Sequence, residues 1–127
     1  MAKVFSFTRV TDDDLIVLPV LIQNSLVEMV LDTGASHSFI DFGILVNEGF
    51  RLNDTLGLIP VETANGIIYA NRFSVNTIST LDITKTNFEI TSYLFEDPQS
   101  EFKGVIGLDF LANMKFCIDL EKNEISI

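Results

Sequence analysis

The chain has 127 residues, a length that predicts one domain, 1–127, with a core of its own. Apolar residues make up 47% and charged residues only 20%, which excludes a disordered chain. A formal net charge of −10 argues against nucleic acid and anionic membrane as partners, because both would repel it.

Eleven Phe and no Trp, with many Ile, Val and Thr, point to strands. Cys117 is the one cysteine, so no internal disulfide is expected and a reducing compartment suits the chain. Its apolar setting predicts a small buried hydrophobe. From Met1-Ala2-Lys3 the sequence leads straight into polar–apolar alternation. It shows no signal-peptide core and no apolar run near the ~18–20 residues of a membrane span. A cytoplasmic location is expected.

Val4 to Val10 reads as a strand with Phe5, Phe7 and Arg9 on one face. Thr11 to Asp14 is an acidic, solvated turn. Leu15 to Gln23 is nearly continuous apolar sequence, which predicts burial on both faces, with Pro19 marking an edge or a bulge. Asn24-Ser25 turns the chain into Leu26 to Leu31, which delivers Asp32-Thr33-Gly34-Ala35-Ser36. Turn aspartates usually have Gly, Asn, Pro or Ser on both sides. Here the strand side is apolar, so the carboxylate is expected at the edge of a core. Burial there costs free energy unless the group is hydrogen-bonded or partly protonated. Gly34 is expected to allow a backbone geometry that a Cβ would resist. Thr33 and Ser36 supply short hydroxyls to fix the turn, and His37 reads as a partly exposed turn residue.

Phe39 and Ile40 return to the core. Asp41 is predicted to cap a short helix through Val46 that Gly49 closes. Arg51 to Gly57 is an irregular link. Asp54-Thr55 within it is a decoy, because Leu56 replaces the glycine and no apolar strand precedes it. Leu58–Thr63 and Ile67–Phe73 flank Ala64-Asn65-Gly66, and Asn-Gly between strand-like runs predicts a hairpin with a type I′ turn. Phe73–Leu81 and Thr86–Phe95 form a second pair around Asp82, with Phe88, Ile90 and Leu94 on one face. Tyr69 and Tyr93 are expected to pack with their hydroxyls at the surface. Glu96 to Glu101 is a polar loop expected to be mobile.

Val105-Ile106 is a short apolar strand that reaches Gly107, and Leu108 to Met114 reads as a short helix. Asp109 in its first turn is favoured there by the helix dipole. Phe116–Leu120 and Glu124–Ile127 close the chain as a hairpin. Two short helices among roughly eight or nine strands make the fold all-β. A closed or nearly closed barrel is the natural way to hide strand edges. No His, Cys or acidic cluster has metal-ligand spacing, so neither metal nor other cofactor is expected.

Three features, in this order, resemble the retropepsin-type aspartic proteases, the single-domain class of retroviruses, retrotransposons and bacteria. The first is Val30-Leu31-Asp32-Thr33-Gly34-Ala35-Ser36, similar to the catalytic Asp-Thr-Gly loop. The second is the hairpin at Asn65-Gly66, placed where the family has its flap. The third is Gly104-Val105-Ile106-Gly107-Leu108-Asp109-Phe110-Leu111, similar to the segment and helix behind the active site. With the closing strands from Ile118 to Ile127, the likeness spans about residues 15–127.

The resemblance implies a closed β-barrel-like acid protease fold with one or two short helices and a flap hairpin near 58–73. It implies a catalytic loop of Asp32, Thr33 and Gly34, and substrate contacts from Ala35, Ala64, Asn65, Gly66 and Ile67. Peptide hydrolysis without metal or covalent intermediate needs one carboxylate to activate water and one carboxylic acid to polarise the carbonyl. Two aspartates about 3 Å apart cannot both ionise and therefore share a proton. The chain has one Asp-Thr-Gly, so the second must come from another copy across a two-fold axis, and the pair titrates together. The implied partners are a second copy and a polypeptide substrate. Thr33 hydroxyls would cross-link the two loops, and Gly34 amides would bind the carboxylates.

Many retroviral members brace the dimer by pairing an acidic residue two positions after the loop glycine with an arginine of the late helix. Ser36 and Leu108 stand at those places, so that brace is absent, and Asp109 is free for a different structural part. The alternative reading is a non-catalytic module that uses the same fold to dimerise or to grip an extended peptide.

Overall fold

The computed structural model describes residues 3–9, 11, 13–93 and 102–127. Val10, Leu94 and the predicted loop at 96–101 lie outside the described residues. The strands are β1 (Val4–Ser6), β2 (Val17–Ile22), β3 (Ser25–Leu31), β4 (Phe39–Asp41) and β5 (Gly57–Thr63). They continue as β6 (Gly66–Thr80), β7 (Ile83–Tyr93), β8 (Gly104–Ile106), β9 (Cys117–Asp119) and β10 (Glu124–Ser126). Two short helices, α1 (Phe42–Asn47) and α2 (Leu108–Leu111), and one 3₁₀ turn over Leu52–Asp54 complete the described elements. Among the described residues no helix is long and apolar enough to cross a membrane.

The main sheet runs β2-β3-β8-β4-β7-β6-β5, and β2 also pairs with β6 through Leu21↔Ser79 and Ile22↔Ile78. That second pairing closes six strands into a barrel and leaves β5 outside it, attached only to β6. Closure removes the edges that an open sheet of these strands would present. Phe73, Phe110, Ile22, Met29, Ile40 and Ile78 are among the side chains fully buried inside. Each contributes about 1.5–3 kcal/mol relative to an exposed side chain. Phe42 and Phe50 extend the core below α1, with ring centroids 5.8 and 5.9 Å from that of Phe73. A separate three-stranded antiparallel sheet, β1-β10-β9, joins the two ends of the chain and buries Ile125.

Several expectations need correction. β2 is buried on one face only: Leu18, Val20 and Ile22 point inward, while Pro19 and Leu21 are exposed. Its register with β3 is unbroken, so Pro19 makes no bulge and sits before the stretch of β2 that pairs with β6. β6 is one strand of 15 residues and not two. It changes partner part-way, and Arg72 pairs with Gly57 on one side and Thr91 on the other. α2 stops at Leu111, three residues short of Met114. Cys117 is exposed, because β9 is an edge strand that turns Ile118 inward instead. Tyr69 is 69% exposed and projects from the outer side of the β5–β6 hairpin.

The β5–β6 turn also differs. Thr63 pairs with Gly66, so Ala64 and Asn65 form a two-residue loop. A type I′ turn needs positive φ at both loop residues. Here the left-handed residue is Gly66, at φ +109°, immediately after them. The Thr63 hydroxyl accepts from Asn65 N–H and donates to the Gly66 carbonyl, and so replaces bonds of the ladder. The I′ geometry appears at the β6–β7 turn, where Leu81 and Asp82 have φ of 54° and 59° between the paired Thr80 and Ile83.

Candidate active site

β3 carries the chain to the acidic loop. Its last residue, Leu31, donates to the Ile16 carbonyl, and Asp32 N–H donates to the Ile106 carbonyl at 2.9 Å. The loop therefore emerges between the start of β2 and the end of β8. Gly34 N–H donates to Asp32 Oδ1 at 2.8 Å, and Ala35 N–H donates to the Asp32 carbonyl at 3.2 Å. The carboxylate is fixed by its own loop and nevertheless faces solvent, since Asp32, Thr33 and Gly34 are all exposed. This corrects the expected burial: within one chain Asp32 sits above the core and not at its edge. Gly34 has no left-handed backbone. A Cβ there would lie 3.1 Å from Asp32 Oδ1, so the glycine leaves room for the carboxylate.

The loop is fixed from behind by residues that the motif does not include. Ser38 is fully buried. Its hydroxyl donates to Asp109 Oδ1 at 2.6 Å and accepts from Gly107 N–H at 2.9 Å. Its backbone N–H donates to Asp109 Oδ2 at 2.9 Å. Leu108 N–H donates to the Ala35 carbonyl at 2.8 Å, which ties the start of α2 to the loop. Gly107 is required by this approach, because a Cβ would meet the Ala35 and His37 carbonyl oxygens at 2.6 and 2.8 Å. Thr33 and Ser36, expected to fix the turn, are exposed and make no hydrogen bond among the described residues.

A cleft of about 460 Å³ opens beside the loop. Asp32, Gly34, Ala35, Ser36 and His37 form one side. Phe39 and three residues of β5, Pro60, Val61 and Glu62, form the other. Phe39, Val61 and Glu62 are shared with an adjoining cavity of about 250 Å³ that Ile68, Tyr93 and Val105 help to line. The structure thus brings Asp32, Gly34 and Ala35 together with the stem of the hairpin. Ala64, Asn65, Gly66 and Ile67 at its tip do not line the cleft, and neither does Thr33. Pro60, Val61 and Glu62 lie within the hairpin expected near 58–73, but the sequence does not single them out as cleft residues, since alternation through Ile59 and Val61 points to Val61 alone. Among the described residues no group of three or more His, Cys, Asp or Glu is placed to hold a metal ion.

A braced acidic turn beside a cleft and under a projecting hairpin has counterparts elsewhere. The model of the family described as "gag-polyprotein putative aspartyl protease" matches residues 18–113, about three quarters of the chain. A retropepsin-like aspartic protease from Rickettsia conorii has a similar solved structure, with a TM-score of 0.71 and 20% sequence identity. That likeness covers 100% of this chain and 98% of the other, and at such identity it establishes a shared fold. No curated protein sequence matches the chain.

Proposed function

Because the chain belongs to the gag-polyprotein aspartyl protease family, we propose that it is an endopeptidase active as a homodimer, each protomer a single domain over residues 1–127 that contributes one Asp32-Thr33-Gly34 loop. The observation that carries this reading is the contrast between the two sides of the loop. Its rear is held by Ser38, Gly107 and Asp109, whereas Asp32, Thr33 and Gly34 are exposed in front. A rigid acidic turn that presents its carboxylate outward is half of a two-carboxylate site. A two-fold axis in front of it supplies the other half from an identical surface.

Two carboxylates so placed hold one proton between them. The ionised Asp32 takes a proton from water as the water oxygen bonds to the scissile carbonyl carbon. The protonated Asp32 of the other protomer gives its proton to the carbonyl oxygen. The tetrahedral intermediate collapses as the C–N bond breaks: the amine leaves with the proton that the first Asp32 took from water, and a hydroxyl proton of the intermediate passes to the other Asp32, which restores the shared proton. The Gly34 amide keeps each carboxylate oriented throughout. The β5–β6 hairpin closes over an extended peptide and adds strand-type backbone hydrogen bonds. In this reading Ala35 lines the peptide path, and the tip residues Ala64, Asn65, Gly66 and Ile67 reach the substrate on closure.

Incubation with an unstructured polypeptide between about pH 4 and 7, followed by mass spectrometry, tests the proposal. The expected result is cleavage strongest at mildly acidic pH, with specific activity rising with protein concentration. Asp32→Asn is expected to abolish cleavage and leave the melting temperature unchanged. Absence of cleavage by the native dimer across that range, or cleavage that survives Asp32→Asn, would overturn it.

A further inference from the structure

Glu62 is the one Asp or Glu that β5 places in the cleft beside Asp32. It stands on the wall shared with the smaller cavity, whose other lining is largely apolar: Phe39, Val61, Ile68, Tyr93 and Val105. Its side chain is exposed and makes no hydrogen bond or ion pair among the described residues. Among the described residues no Lys or Arg lines the Asp32 cleft. Resting on the protease reading, we infer that Glu62 is a specificity-determining residue and selects a Lys or Arg of the substrate two positions from an apolar residue.

The physical case has three parts. Closing a peptide over the cleft removes water from around Glu62, and a carboxylate with reduced solvation and no partner is costly. A cationic substrate side chain supplies that partner through a charge-assisted hydrogen bond, whereas an acidic one meets repulsion from both Glu62 and the Asp32 pair. Side chains of an extended peptide alternate in direction. A residue seated in the apolar cavity therefore turns its immediate neighbours away, and the residue two positions along returns to the same wall, within reach of Glu62. The net charge of −10 adds long-range attraction for a basic polypeptide.

The test uses a set of peptides that share one apolar residue and differ only in Lys, Gln or Glu two positions from it. Cleavage competition gives the ratios of kcat/KM. The Lys peptide is expected to exceed the Gln peptide by about fivefold at low salt, less at high salt. Glu62→Gln should bring that ratio close to unity, Glu62→Lys should invert it towards the Glu peptide, and Glu62→Asp should retain it in part. A second arm measures binding of the same labelled peptides to Asp32→Asn protein, which needs no turnover. If nothing is cleaved but binding keeps the Glu62-dependent preference, the protease reading falls and this inference stands. Equal treatment of Lys and Gln peptides, a preference that survives Glu62→Gln, or neither binding nor cleavage of the set would overturn the inference.

Discussion

Ser38 connects four segments from a position with no solvent exposure: the acidic loop, the end of β8, the start of α2, and β7 through Thr91 N–H, which donates to the Ser38 carbonyl. Its removal is expected to be costly in a specific way. Ser38→Ala takes one partner from Asp109 and leaves Gly107 N–H without an acceptor in a buried site. An orphaned buried group costs about 1–3 kcal/mol, which corresponds to a fall in melting temperature of roughly 4 °C per kcal/mol at an unfolding entropy of about 2.1 cal/mol/K per residue. Thermal unfolding of the variant checks the first part, and its cleavage rate should fall by more than the loss of folded protein explains. Asp32 was legible because its signal is local: an apolar strand, an acid, a hydroxyl and a glycine in direct succession. Ser38 was not, because its carboxylate partner lies 71 residues away and only folding brings them together. The sequence predicts Asp109 as a first-turn helix residue. It does occupy that place, but its main task is to accept from Ser38.

At the level of elements, helix punctuation was more legible than turn type. Asp41 caps α1 by accepting from Gly43 N–H at 3.4 Å, and Gly49 follows the helix at φ +93°, as the side-chain chemistry predicted. The β2–β3 turn was harder to read, because it uses Gln23 at φ 53° where glycine would be easier. Its cost is offset from outside the hairpin. Gln23 accepts from Asn76 N–H and donates to Glu48, which also accepts from Asn24 N–H at 2.9 Å and from the Ser25 hydroxyl at 2.6 Å. The Ser25 bond, followed by the Asn24 amide, holds the Glu48 carboxyl below its ordinary value of 4.5. A carboxyl that binds protons less readily when folded stabilises the fold above its unfolded value. That contribution is lost as pH falls through the lower folded value. Glu48→Gln should therefore be less stable than the native chain at pH 7, by about 1 kcal/mol. The gap should narrow as pH drops below about 4.5. Urea unfolding of both proteins across that range checks the sign. A gap that widens on acidification would mean that Glu48 is not the clamp.

For the whole molecule, the all-β architecture followed from composition and alternation, and the closed barrel followed from the need to hide edges. Which strand stays outside did not follow from composition or alternation; only the resemblance, with its flap near 58–73, set that hairpin apart. Leu58–Thr63 reads like any other half-apolar strand, and only the β2–β6 pairing shows that β5 projects beyond the ring. That projection is what lets the hairpin stand beside the acidic loop. The proposed two-fold contact must form on the same side, and there the chain leaves Leu108 46% exposed, its N–H bonded to the Ala35 carbonyl. At this place many retroviral relatives carry a brace charge, and here an apolar side chain faces outward next to the loop. Burying it against its symmetry mate would stabilise a dimer by removing apolar surface from water twice over. Leu108→Glu sets two like charges near the axis instead. The variant should fold, and its specific activity should fall at least about tenfold at low protein concentration and recover as concentration rises. Leu26→Glu, at the far end of β3 and 72% exposed in the native chain, should leave the concentration dependence unchanged. Sedimentation of the same three proteins checks the cause. A Leu108→Glu protein that stays as dimeric as the native chain would place the interface elsewhere.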